Sequence, residues 1–144
     1  MIDCTHYNDY KKKIMKSLLI FVALMTATAF SYSQTADWKE MKDFHAVMSK
    51  TFHPAEDNNL QPTKNNAEQL LTIAKAWQSS TAPAGYNGKV AKPILKQLVK
   101  TCKELKKAVA ANKTDAELKL LITKAHDTFH ELTEKCKPGE EEKH

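Results

Sequence analysis

The chain has 144 residues, with 22 Lys, no Arg, three Gly and three Cys; 42% of it is hydrophobic and 27% charged. That length favours one domain, the balance excludes wholesale disorder and a multi-span membrane protein, and scarce Gly argues against a sandwich or barrel. Three Cys are too few for a disulfide scaffold, and the formal charge of +5 suggests nucleic acid only until the leader is set aside.

In chain order, the first third reads as an address. Met15-Lys16-Ser17 opens a short charged region, Leu18 to Met25 is an unbroken apolar run, and Ser31-Tyr32-Ser33 places small residues where a signal peptidase reads. This is the pattern of a secretory signal cleaved near Ser33-Gln34, and its apolar run is too short for a transmembrane helix. Residues 1–14 read as an upstream extension before an initiator at Met15. Residues 1–33 are therefore expected to be removed, leaving a periplasmic or secreted protein without a membrane span. From Gln34 onward there are 18 Lys against 15 Asp plus Glu, a net of +3. With no Arg forks for phosphate, no nucleic-acid partner is expected.

Residues 34–137 read as four amphipathic helices. The first is predicted over Asp37–Phe52, with Trp38, Met41, His45, Met48 and Phe52 on one stripe, and with His53-Pro54 ending it because the residue before Pro avoids helical angles. The second is predicted over Lys64–Gln78, with Ala67, Leu70, Leu71, Ala74 and Trp77 inward. The third starts between Gly88 and Pro93 and carries Ile94, Leu98, Cys102, Leu105 and Val109. The fourth opens on Thr114-Asp115-Ala116-Glu117, a capping box, and buries Leu118, Ile122, Ala125, Phe129, Leu132 and Cys136. Pro138-Gly139 and the Glu140-Glu141-Glu142 run make residues 138–144 an acidic tail read as disordered. Four such helices on short connections predict an all-α, antiparallel up-down-up-down four-helix bundle.

Histidines carry the functional signal. His126 and His130 lie one turn apart on helix 4, so both rings can reach one spot. A register taken from the helix 3/4 turn puts His45 between them, level with Asp127, with Met41 near Glu131 and Met48 near Cys102. Three imidazoles in one layer need partners, and a metal serves several at once. The same register sets Cys102 and Cys136 about 18 Å apart, too far for a disulfide. His126-Asp127-Thr128-Phe129-His130 resembles the HExxH string of metalloproteases, but Asp is one methylene short of the general base, and no substrate-binding strand accompanies it. No enzyme is expected.

Met41-Lys42-Asp43-Phe44, Ala125-His126-Asp127-Thr128-Phe129 and Thr128-Phe129-His130 are short strings whose layout resembles the periplasmic cytochrome c′ and cytochrome b562 bundles. Ile122 and Ala125 stand where the CxxC cysteines that tether haem would be, so covalent haem is excluded. The b562 likeness implies non-covalent haem b held axially by Met41 and His130, with electron transfer to a redox partner. The c′ likeness implies a homodimer.

Three readings follow. The first is a transition-metal site, for copper, zinc or nickel, built from His45, His126 and His130 with Met48 or Met41 as an optional soft ligand. It would serve metal carriage, buffering or sensing with a metal-transfer partner. The second is the haem b electron carrier, and the third is a cofactor-free interaction bundle.

Overall fold

A computed structural model describes residues 37–136; the expected leader and cleavage point, Cys4, and the acidic tail lie outside them. Four helices follow one another: α1 Lys39–Glu56, α2 Gln61–Ser79, α3 Gly88–Ala110 and α4 Asp115–Lys135. Each packs on the next in sequence, and α4 closes the ring against α1, making a four-helix bundle. Among the described residues, no helix is long and apolar enough to cross a membrane.

Named contacts show which parts of α1, α2 and α4 meet. Trp38, at the start of α1, meets Trp77 at the end of α2 with ring centroids 5.6 Å apart. Thr63, early in α2, points its hydroxyl at the Thr51 carbonyl, late in α1, at 3.5 Å. On the other flank Phe44 lies 5.7 Å from Phe129, while further along α1 the Glu56 carbonyl accepts from Lys119, earlier in α4, at 3.0 Å. Lys64 pairs with Asp115 at 2.7 Å, which brings the starts of α2 and α4 together.

Local chemistry explains the ends. The Thr114 hydroxyl accepts from Glu117 N at 3.3 Å, and Glu117 Oε2 accepts from Thr114 N at 3.0 Å, the expected capping box. Asn58 and Asn112 sit at φ 64° and 50°. Around Asn58, its own N–H reaches Ala55 O at 3.1 Å and Asn59 N–H reaches Pro54 O at 2.9 Å. Around Asn112, its N–H reaches Val109 O and Lys113 N–H reaches Ala108 O, both at 3.0 Å. These are Schellman closures with Asn in place of the usual Gly.

Two boundaries differ from the sequence reading. Helix α1 continues through Pro54 to Glu56. Pro54 forfeits one N–H bond while its fixed φ stays helical, and the left-handed Asn58 is what ends the helix. Helix α2 starts at Gln61, because Pro62 in the first turn removes an N–H that would have had no partner there.

The core is built from one face of every helix. Trp38, Phe44, Met48, Leu70, Trp77, Leu98, Leu105, Leu118, Ile122 and Leu132 are fully buried, each such side chain contributing about 1.5–3 kcal/mol of apolar burial. Every expected core residue of α4 is buried. On α1 the phase differs. Phe44, Met48, Thr51, Phe52 and Ala55 face inward, Met41 is half-buried, and His45 is exposed. The larger, wholly apolar Phe44 takes the inward position and turns its neighbour His45 about 100° away.

Candidate metal-binding histidine pair

Helix α4 places His126 and His130 four residues apart, and their Nε2 atoms face each other at 3.1 Å. The rings meet edge to face with centroids 4.4 Å apart. Phe52 of α1 lies flat on the His126 imidazole, 3.7 Å away and within 9° of parallel. That stack leaves the His126 side chain 22% exposed and fixes the ring plane. His126 Nδ1 is buried without a hydrogen-bond partner among the described residues. Its nearest carboxylate oxygen, Asp127 Oδ1, stands at 3.7 Å, beyond hydrogen-bond reach.

The electrostatics follow from these positions. Burial against Phe52, and then the facing His130 ring, hold the His126 imidazole below its ordinary pKa; Asp127 and Glu56 pull upward without prevailing. In the ion-free pair one Nε2–H faces the other Nε2 as donor to acceptor. With that hydrogen moved to Nδ1, both Nε2 atoms would be free to bind a single ion. With metal–nitrogen bonds of about 2.0–2.1 Å, the 3.1 Å separation subtends about 98° at a shared ion, between square and tetrahedral angles. In that state both Nδ1 atoms carry hydrogen. A small swing of Asp127 would supply the acceptor that His126 Nδ1 lacks, as ligating histidines usually have.

The other expected ligands do not join this pair. His45 is exposed and stacks on the Phe129 ring, 5.3 Å away and 4° from parallel. Among the described residues, no group of three or more His, Cys, Asp and Glu side chains is placed to hold a metal. The three-histidine layer is therefore replaced by a two-histidine pair, because the rotation of α1 carries His45 out to solvent. Met48 is fully buried in the core.

Met41 and His130, the axial pair of the haem expectation, are half-buried and exposed. The interior beside them is filled by Phe44, Trp77 and Phe129, with centroids 5.7 to 6.0 Å apart. Among the described residues, two open depressions of about 500 and 250 Å³ are lined by other side chains. One is lined by Val90, Pro93, Ile94, Gln97, Glu131 and Lys135, the other by residues around Trp38 and Ser80.

Cys102 and Cys136 are free and buried. Burial pushes the Cys102 thiol up to about 12 and the Cys136 thiol upward as well, so neither offers a ready thiolate. His53 pairs with Glu56 at 3.0 Å on the exposed side of α1. The residue that sequence reasoning missed is Phe52. Its place on the α1 stripe marked it as core, and nothing local to α1 says that its outer face meets an imidazole. Comparison with protein-family models, curated proteins and solved structures gives no match for this chain.

Proposed function

We propose that this four-helix bundle is a periplasmic or secreted protein that takes up one copper, zinc or nickel ion at His126 and His130, for carriage, buffering or sensing. The observation that carries the reading is the 3.1 Å approach of two Nε2 atoms on one helix face. Imidazole suits these three metals. Two protein ligands leave the remaining coordination positions to water or to a partner protein's donors, which suits an ion that is handed on rather than locked away.

Isothermal titration of the chelator-treated protein with each ion tests the proposal. One ion per chain is expected, with affinity falling at least tenfold in His126→Ala and in His130→Ala. His45→Ala, on the far side of Phe129, should stay within twofold of the parent. Equal affinity in all three variants, or a sharp loss in His45→Ala alone, would refute the assignment. So would stoichiometric haem uptake abolished by Met41→Ala.

A further inference from the structure

Helix α3 carries seven Lys and one Glu, whereas α4 carries three Lys and five acidic residues. The α3 lysines are not scattered. Lys89, Lys92, Lys96, Lys100, Lys103 and Lys107 are all exposed, and at about 100° per residue they fall within an arc of about 80°. Ala91, Ile94, Leu95, Leu98, Cys102 and Leu105 occupy the opposite, buried side. The result is a straight ridge about 27 Å long with one ammonium per turn.

None of these six makes an ion pair among the described residues. Lysines elsewhere do: Lys39 with Asp43, Lys42 with Asp37, Lys64 with Asp115, Lys106 with Glu68, Lys113 with Glu117 and Lys135 with Glu131. Successive ridge ammoniums stand roughly 5–6 Å apart at the helix surface, inside the Debye length of about 8 Å at physiological salt. They repel one another. Glu104 is the one carboxylate on α3, and among the described residues no ion pair offsets the repulsion. An external anionic surface would.

The shape of the ridge selects that surface. The row itself is convex, and the open depression beside it, lined by Val90, Pro93, Ile94, Gln97, Glu131 and Lys135, holds none of the six ridge lysines. The ridge bears no Arg for bidentate phosphate contacts and no aromatic ring for base stacking. Between the lysines its exposed residues are small or Pro93, and the exposed large hydrophobic residue, Leu120, belongs to α4. Nothing on the ridge inserts into hydrocarbon, so contact stays at headgroup depth. We propose that the α3 ridge docks on the surface of an anionic phospholipid bilayer, by electrostatics alone and independently of the histidine pair.

Sedimentation of the full chain with lipid vesicles tests this. Vesicles of phosphatidylcholine with about one third phosphatidylglycerol should bind the protein at low salt and release it at roughly 0.3 M salt, while pure phosphatidylcholine should bind far less. Each near-surface Lys is worth about fivefold in partitioning, so Lys96→Gln with Lys100→Gln should weaken binding about 25-fold. Lys39→Gln with Lys42→Gln makes the same change in net charge, shares residues 1–36, and should stay within twofold. Equal losses in the two double variants would overturn the proposal in favour of net charge. Equal binding to neutral vesicles, or capture of duplex DNA with no vesicle binding, would also overturn it.

Discussion

The two tryptophans form an internal control for the cost of an unpartnered buried donor. Both are essentially fully buried, Trp38 at 1% and Trp77 at 0% exposure, and they pack edge to face. Trp38 Nε1 donates to Ser80 Oγ at 2.8 Å, whereas Trp77 Nε1 has no partner among the described residues. Replacing either by Phe removes about 40 Å³ of side chain, worth about 1 kcal/mol as residual cavity. Lost apolar burial of about 40 Å² adds about 1 kcal/mol. At Trp38 the hydrogen bond goes as well, about 1 kcal/mol more, so Trp38→Phe should cost about 3 kcal/mol. At Trp77 the substitution also removes an unsatisfied N–H, which returns about 1–3 kcal/mol. Trp77→Phe should therefore fall within about 1 kcal/mol of the parent. Urea unfolding followed by circular dichroism measures both, and an unchanged m-value confirms that the native and denatured states remain comparable. Since the chain has only these two Trp, each variant also has a single fluorophore for a second probe. Equal costs at the two positions would refute the reasoning and mean that the Trp77 N–H is satisfied by a bound water.

Three further outcomes follow from the same geometry. Thr114→Ala removes the capping hydroxyl of α4 and should cost about 1 kcal/mol at pH 7 by urea unfolding. The Thr114 N–H, then Lys113, hold the Glu117 carboxyl below its ordinary pKa, so the contribution of that carboxyl should be present at neutral pH and vanish as pH falls through its lowered pKa. In metal-free protein, His126 binds its proton less readily when folded than when unfolded. Stability should therefore decline as pH drops from the unfolded value near 6.5, with a shallower decline in His126→Leu; identical pH profiles would contradict the burial argument. Finally, with its thiol pushed up to about 12, Cys102 should resist iodoacetamide at about pH 8 until urea is added, as peptide mass mapping would show; rapid labelling of native protein would mean that α3 opens readily.

How much of this was legible in the sequence depends on whether a feature is local. The capping box at Thr114, the inward face of α4 and the His126/His130 pair are set by spacing within one helix, and period 3.6 fixes them without any tertiary knowledge. A third ligand depends on contact between helices. It requires the phase of α1, and there the stripe through Trp38, Met41, His45 and Met48 competes with a second one through Phe44, Met48, Thr51 and Ala55 that shares Met48. Spacing alone does not separate two stripes offset by one position along the helix. Burial does, since Phe44 gains more from the interior than His45, whose ring would need a hydrogen-bond partner there.

The same rotation that removes His45 from the pair brings Phe52 onto it. Phe52 lies between the inward Thr51 and the exposed His53, so one edge of its ring reaches the core while its face covers His126. A chelating pair on an isolated helix has two rings that turn freely about their χ angles, and ordering them costs affinity. Here α1 orders one ring through a stack rather than a ligand, which would lower the cost of binding if the pair takes an ion as proposed. The contribution of α1 to the site is thus positional: the bundle holds one imidazole still so that the second, more exposed ring of His130 has only its own rotamer to settle.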